Sequence, residues 1–278
     1  MERGELGGSE QETPLILFLF LTHLGLGIIF TLTVVSREAG VKFFRFNAGL
    51  AAALIAAAFI FRPADLEPTS VSRVALVALI LSEAAIVIYW MTIGRVLALI
   101  RPLLVWIACA GGLVVLVTQA AVVTAGWTVD VRLLTVASFL SSAALLGGAS
   151  TAMILGHWYL VIPSLQISHL QSIVKVHIAS MIVRIVVVGA AVLLAIATWQ
   201  PGLGPSFRHY ITSVGGIFFW QRVLFGLVGP AALSYLTWET AKIRSTQSAT
   251  GILYVDFFTV VVGEVLAKYL LLATKVPL

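Results

Sequence analysis

Only one cysteine, Cys109, occurs in this chain, charged residues are scarce, and no polar stretch of domain size interrupts it. Each absence removes a class of function. One cysteine excludes an intrachain disulfide and any cysteine-cluster zinc or iron–sulfur site, so iron–sulfur chemistry, if used, belongs to a partner. Charged residues make up 10% of the 278, against roughly 25% in soluble domains. The formal charge of +5 and pI of 9.6 come from scattered Lys and Arg, with no clustered basic face, so no nucleic-acid partner is expected. No GxSxG, HExxH, P-loop or dinucleotide fingerprint stands in a suitable context. Few Asp and Asn lie near helix ends, which leaves a metal-dependent prenyl- or phosphotransferase without support.

What is present is apolar sequence. Hydrophobic residues make up 60% of the chain and mean hydropathy is +1.07. Apolar runs of about 20 residues recur from end to end, the length of a bilayer-crossing helix. They show none of the sustained alternation of transmembrane strands. The fold expected is all-α: one polytopic integral membrane domain over 1–278, with eight transmembrane helices after a short acidic tail, 1–13. The tail, "MERGELGGSEQET", lacks the basic start of a signal peptide, so the first apolar run is expected to be retained.

The spans are expected at about 14–36, 43–61, 73–94, 102–125, 132–160, 173–198, 210–237 and 248–273. Thr13 reads as an N-cap with Pro14 at the first helical position, and Pro163 as the end of the fifth span. Gly202 and Gly204 in "WQPGLGPS" read as turn chemistry. Small-residue stretches, "GGASTA" (147–152) and "GLAAALIAAA" (49–58), suit close helix approach. Eight spans put both termini on one side. Lys and Arg then number seven on the terminal side, Lys268 among them, and eight on the other. Arg37, Lys42 and Arg45 in the first loop favour termini outside the cytoplasm, in a bacterial inner membrane.

Six ionisable side chains fall well inside these spans: His23, Glu83, Arg184, Arg222, Asp256 and Glu264. A charge at bilayer depth is costly unless paired, neutral or wet, and commonly marks a proton or substrate path. Two readings stay open, structural pairs and a pathway. By depth at 1.5 Å per residue, Glu264 matches Arg222 better than Asp256 does, which leaves Asp256 as the freer acid. Glu83, Asp256 and Glu264 are the candidate proton path, with Arg184 and Arg222 as their charge partners. His157, ending the fifth span, and His177, starting the sixth, are alternative haem b ligands at one membrane face, with His169 between them. An interfacial belt with Trp158 and Tyr159 accounts for the same stretch. No metal site and no catalytic residue is otherwise indicated.

"ETPLILFLFLTHLGLGIIF" (12–30), "WQRVLFGL" (220–227) and "VVGEVLAKY" (261–269) carry a resemblance. They are similar to the opening helix, the Trp-Arg segment and the Gly-Glu-Leu-x-x-Arg segment of the dimethyl sulfoxide reductase membrane anchor. That family includes the polysulfide reductase membrane subunit and NrfD-type proteins. The match covers about a quarter of the chain. The resemblance implies eight spans with termini outside the cytoplasm, and quinol or menaquinol bound in the first helical bundle. It also implies no cofactor of the chain's own, and electrons exchanged with an iron–sulfur or cytochrome partner. The quinol contact carries over to His23. The chain departs from the family after the second span, reading "FRPADLEPTSVSR" (61–73), and "GHWYL" has no counterpart. A subunit of a respiratory or photosynthetic oxidoreductase, not catalytic by itself, is therefore expected. The rivals are a b-type cytochrome, a structural subunit and a proton-coupled transporter; against the last stand the missing inverted repeat and the lack of obvious broken helices.

Overall fold

The structure, a computed structural model, describes residues 3–63, 69–95, 98–162, 165–198 and 206–278, with side chains from Thr13 onward. Its helices are α1 (Arg3–Leu32), α2 (Gly40–Ile60), α3 (Ser70–Thr92), α4 (Arg101–Val123), α5 (Val129–Val161), α6 (Ile167–Ala197), α7 (Phe207–Thr212), α8 (Ile217–Val223), α9 (Gly229–Lys242) and α10 (Thr246–Thr274). A π-helical segment, Leu224–Val228, joins α8 to α9. The described residues contain no strand. Among the described residues, eight helical stretches are long and apolar enough to cross a membrane, the seventh being the composite Val214–Lys242.

Periodicity decides which faces meet. On α6, His177, Ser180, Met181, Arg184, Val188 and Ala191 are buried at helical spacing. Between them Ile182, Val183 and Val186 are exposed. Outward faces are therefore apolar and polar groups point inward, the arrangement a lipid solvent demands. α5 is the hub, packing against α1, α4, α6 and α10. It can do so because its middle is narrow. Gly27 of α1 and Gly147 of α5 cross in backbone contact: a Cβ on Gly27 would strike the Ala143 carbonyl of α5, and one on Gly147 would strike the Gly27 carbonyl. Thr31 and Thr151 close the same seam with a 2.7 Å hydrogen bond.

Four expectations need correction. Thr13 is no N-cap: α1 begins at Arg3 and carries Pro14 inside. An interior proline forfeits one backbone bond, a loss the polar end of a helix tolerates. The sixth helix begins at Ile167, so His177 is its eleventh residue and not its start. "ISHLQ" looked like loop because it is polar, yet polar residues suit a helix end that projects past the apolar layer. The seventh span is interrupted. Pro230 has no N–H and its ring clashes with the carbonyl four residues back, and the turn before it widens into the π segment. Finally, Tyr159 is buried, its hydroxyl donating to the Gln166 carbonyl and accepting from the Leu170 N–H. It ties α5 to α6 where a membrane-interface belt was expected. Pro163, Gly202 and Gly204 lie outside the described residues.

Candidate functional site

One face of α10 carries Asp256, Glu264 and Lys268, all buried. Eight residues separate the two acids, about 80° around the helix and about 12 Å along it. Lys268 follows one turn after Glu264. Asp256 meets α6, Glu264 meets α6 and α8, and Lys268 meets α5.

Glu264 is the centre of an ion cluster. Arg184 of α6 grips it with both prongs, Nε donating to Oε1 at 2.8 Å and Nη2 to Oε2 at 3.0 Å. Arg222 of α8 donates Nη2 to Oε1 at 3.0 Å. Lys268 Nζ donates to Oε2 at 3.2 Å. Four charge-assisted bonds fill the lone-pair positions of one carboxylate, and such bonds are the strong ones. Arg184 is held in turn by α5, its Nη1 donating to the Ser138 hydroxyl at 2.7 Å and the Ser138 carbonyl at 3.0 Å. Its Nη2 also reaches the Leu278 carbonyl at 3.0 Å. Arg222 fits because Gly226 and Gly263 lack side chains. A Cβ at Gly226 would strike the guanidinium, and the two glycines pack backbone to backbone beside it. Arg222 Nε and Nη1 have no hydrogen-bond partner among the described residues.

The cluster extends to α1. Lys268 Nζ donates to Ser142 Oγ at 2.7 Å, and the same hydroxyl lies 3.2 Å from His23 Nδ1. His23 is fully buried, edge-on to Phe139, with Gln119 of α4 beside it. Its Nε2 has no partner among the described residues. Gln119 also lines a narrow apolar slot between α1, α3 and α4, walled by Leu15, Phe18, Leu19, Leu76 and Leu79, with a volume of ≈ 30 Å³. A wider cavity, ≈ 450 Å³, lies among the ends of α6 and α10, the start of α5 and α7. Val276 lines it, two residues before the Leu278 carbonyl that accepts from Arg184.

The second site on α10 is simpler. His177 Nε2 stands 2.7 Å from Asp256 Oδ2, both side chains fully buried. The distance is that of an ion pair, but the ring N–H is not aligned on the carboxylate, and Nδ1 and both carboxylate oxygens lack a hydrogen bond. Gly148 of α5 leaves room for the ring.

The expected pairing of Arg222 with Glu264 is present, and Arg184 joins the same carboxylate. Asp256 is not the free acid expected, because the misplaced start of α6 hid His177. Glu83 stands apart on α3, half-buried, with Oε2 unpartnered. The three histidines grouped as haem ligands have separate partners: His157 Nδ1 meets the Tyr254 hydroxyl at 3.0 Å, His169 meets Glu38 at 2.7 Å, and His177 meets Asp256. Lys268 was counted as a loop charge and is 3% exposed inside the bundle. Its spacing of four from Glu264 was the available signal. The serines of "SFLSS" (138–142), hydroxyls at i, i+3 and i+4 on one helix, were the other. No protein-family model, curated protein or solved structure matches this chain.

Proposed function

We propose that this chain is the membrane subunit of a redox complex that exchanges electrons and protons with a quinone. Quinol oxidation releases two protons and two electrons at bilayer depth. The electrons leave to an iron–sulfur or haem centre on a partner subunit, since one cysteine cannot hold a cluster. The protons need a base that faces both the quinol and a route away.

The observation that carries this reading is the position of His23. Its Nε2 is unpartnered beside Gln119, which lines the apolar slot, and its Nδ1 faces Ser142, Lys268 and Glu264. In this reading the quinol hydroxyl gives its proton to Nε2 while Nδ1 passes one to Ser142, and Gln119 orients the ring. Two arginines hold Glu264 ionised, so it balances the charge of an arriving proton. The chemistry of the slot suits a quinone, mostly apolar walls with Gln119, Ser72 and Arg62 as polar groups, although its volume is room for one or two waters. A ring enters as Phe18 and Leu76 swing aside. The wider cavity beside Val276 and Lys275 is the exit to water. Removing Lys268 from the loop charges leaves six on the terminal side against eight, which supports termini outside the cytoplasm of a bacterial inner membrane.

His23→Ala in the assembled complex is expected to lower quinol-dependent turnover by about 10²-fold or more, the scale of a lost general base, with assembly intact. Normal turnover would remove His23 from the mechanism. One observation favours a second reading, a proton-coupled transporter: the π-broken seventh span beside buried charges is the irregularity such sites use. Solute-driven proton uptake by the chain alone in vesicles, without quinone, would select it. A haem absorption band in the purified chain would select the cytochrome reading.

A further inference from the structure

Lys175 of α6 and Lys242 of α9 lie far apart in the sequence, yet both ammonium groups stand at one indole ring. Lys175 Nζ is 5.3 Å from the centre of the Trp238 ring, and Lys242 Nζ is 5.4 Å from it. The fold accounts for the meeting. Gln171 Nε2 donates to the Ala241 carbonyl at 3.4 Å, which sets the first turns of α6 beside the last turn of α9. The two helices run in opposite directions, so Lys175, one turn after Gln171, comes level with Trp238, about one turn before Ala241. Lys242 reaches back to the ring from one turn further along its own helix. Both lysines are exposed, whereas Trp238 is half-buried against the bundle. Glu239 accepts from Lys242 at 2.6 Å, and Lys175 has no acidic partner among the described residues. Arg244, just past the end of α9, is exposed as well. Three cations therefore stand against one acid at this corner, and two ammonium groups at one ring favour an anion that lies against both.

We infer that the corner where α6 meets α9 binds the headgroup of an anionic phospholipid, its phosphate held by Lys175 and Lys242 beside the Trp238 ring. The position suits a lipid. The cations lie where the polar start of α6 meets its apolar run, and a tryptophan at that level sits among headgroups. From there toward mid-span the outer surfaces turn apolar, with Ile182 and Val186 exposed on α6 and Tyr235 and Leu236 exposed on α9. Acyl chains find apolar faces all around the bundle, so selectivity comes from the headgroup. Basic groups between two spanning helices are the chemistry that anionic headgroups take. The bound lipid has a structural consequence. α9 is the far half of the seventh span, cut off from Arg222 by the π segment. A phosphate bridging Lys175 and Lys242 fastens that half to α6. The site does not depend on a quinone or on a redox partner.

The test is native mass spectrometry of the purified full chain in detergent, titrated with phosphatidylglycerol or with phosphatidylcholine of the same acyl chains. A saturable first adduct is expected with phosphatidylglycerol at concentrations where phosphatidylcholine gives little. Lys175→Gln combined with Lys242→Gln should weaken that adduct roughly tenfold or more, the scale of two lysines at a membrane surface. Lys175→Arg combined with Lys242→Arg keeps both charges and should retain it. Lys42→Gln combined with Arg45→Gln removes two charges from the start of α2, on the same side of the bundle, and should leave it unchanged. Equal uptake of the two lipids would overturn the proposal, as would unchanged binding after Lys175→Gln with Lys242→Gln. Equal weakening by both glutamine pairs would reduce the effect to net charge and overturn it too. Full displacement of the lipid by an equal concentration of inorganic phosphate would make the corner a site for soluble anions, against the lipid assignment.

Discussion

Two acids on one face of α10 have opposite surroundings. Glu264 accepts four bonds from three cations and has no lone pair to spare. Asp256 has one neighbour, His177 at 2.7 Å, and no aligned hydrogen bond. The first arrangement fixes a charge. A carboxylate gripped by two arginines keeps its negative charge because every proton donor around it favours the ionised form. The second sets one carboxylate against one imidazole, with no further polar partner among the described residues. The same helix face therefore presents two different surroundings about 12 Å apart.

Removing the acid from each site separates them most sharply. Glu264→Gln strands Arg184, Arg222 and Lys268 without an anion, and breaking a buried pair in this way costs about 3–5 kcal/mol. Loss of folded protein on extraction from the membrane is the expected outcome. Gly263→Leu attacks the same site through space, since any side chain there meets Gly226 and Arg222. Overpacking of this kind costs about 1–3 kcal/mol, read as a lower midpoint of detergent-induced unfolding. Asp256→Asn is expected to change that midpoint by about 1 kcal/mol or less, because no formed hydrogen bond is lost. It should still slow proton-coupled activity. Equal unfolding penalties for Glu264→Gln and Asp256→Asn would erase the distinction between the sites. Glu83→Gln should be the mildest, within about 0.5 kcal/mol, because its half-buried carboxylate has no ion partner.

Much of this was readable beforehand. Apolar run length located eight spans, and a 1.5 Å rise was enough to match Arg222 with Glu264 in depth. The rest was hidden for physical reasons. Lys268 looked like a loop charge because a lysine near a helix end usually reaches back to water, whereas here Ser142 and Glu264 hold it inside. His177 looked peripheral because α6 starts with a polar turn that reads as loop. Serines in an apolar run carry no charge to draw notice, yet Ser138 and Ser142 link three helices. The slot beside Gln119 depends on how α1, α3 and α4 diverge, which local sequence does not encode.

The most direct test of the account is where a quinone binds. Purified chain in nanodiscs, irradiated with an azido-quinone and mapped by mass spectrometry, should be labelled on α1 between Leu15 and His23 and on α4 near Gln119. Excess unlabelled quinone should compete, and Gln119→Leu should weaken the labelling. Label confined to the outward faces of α6 or α10, or label that unlabelled quinone does not displace, would contradict a quinone site at His23.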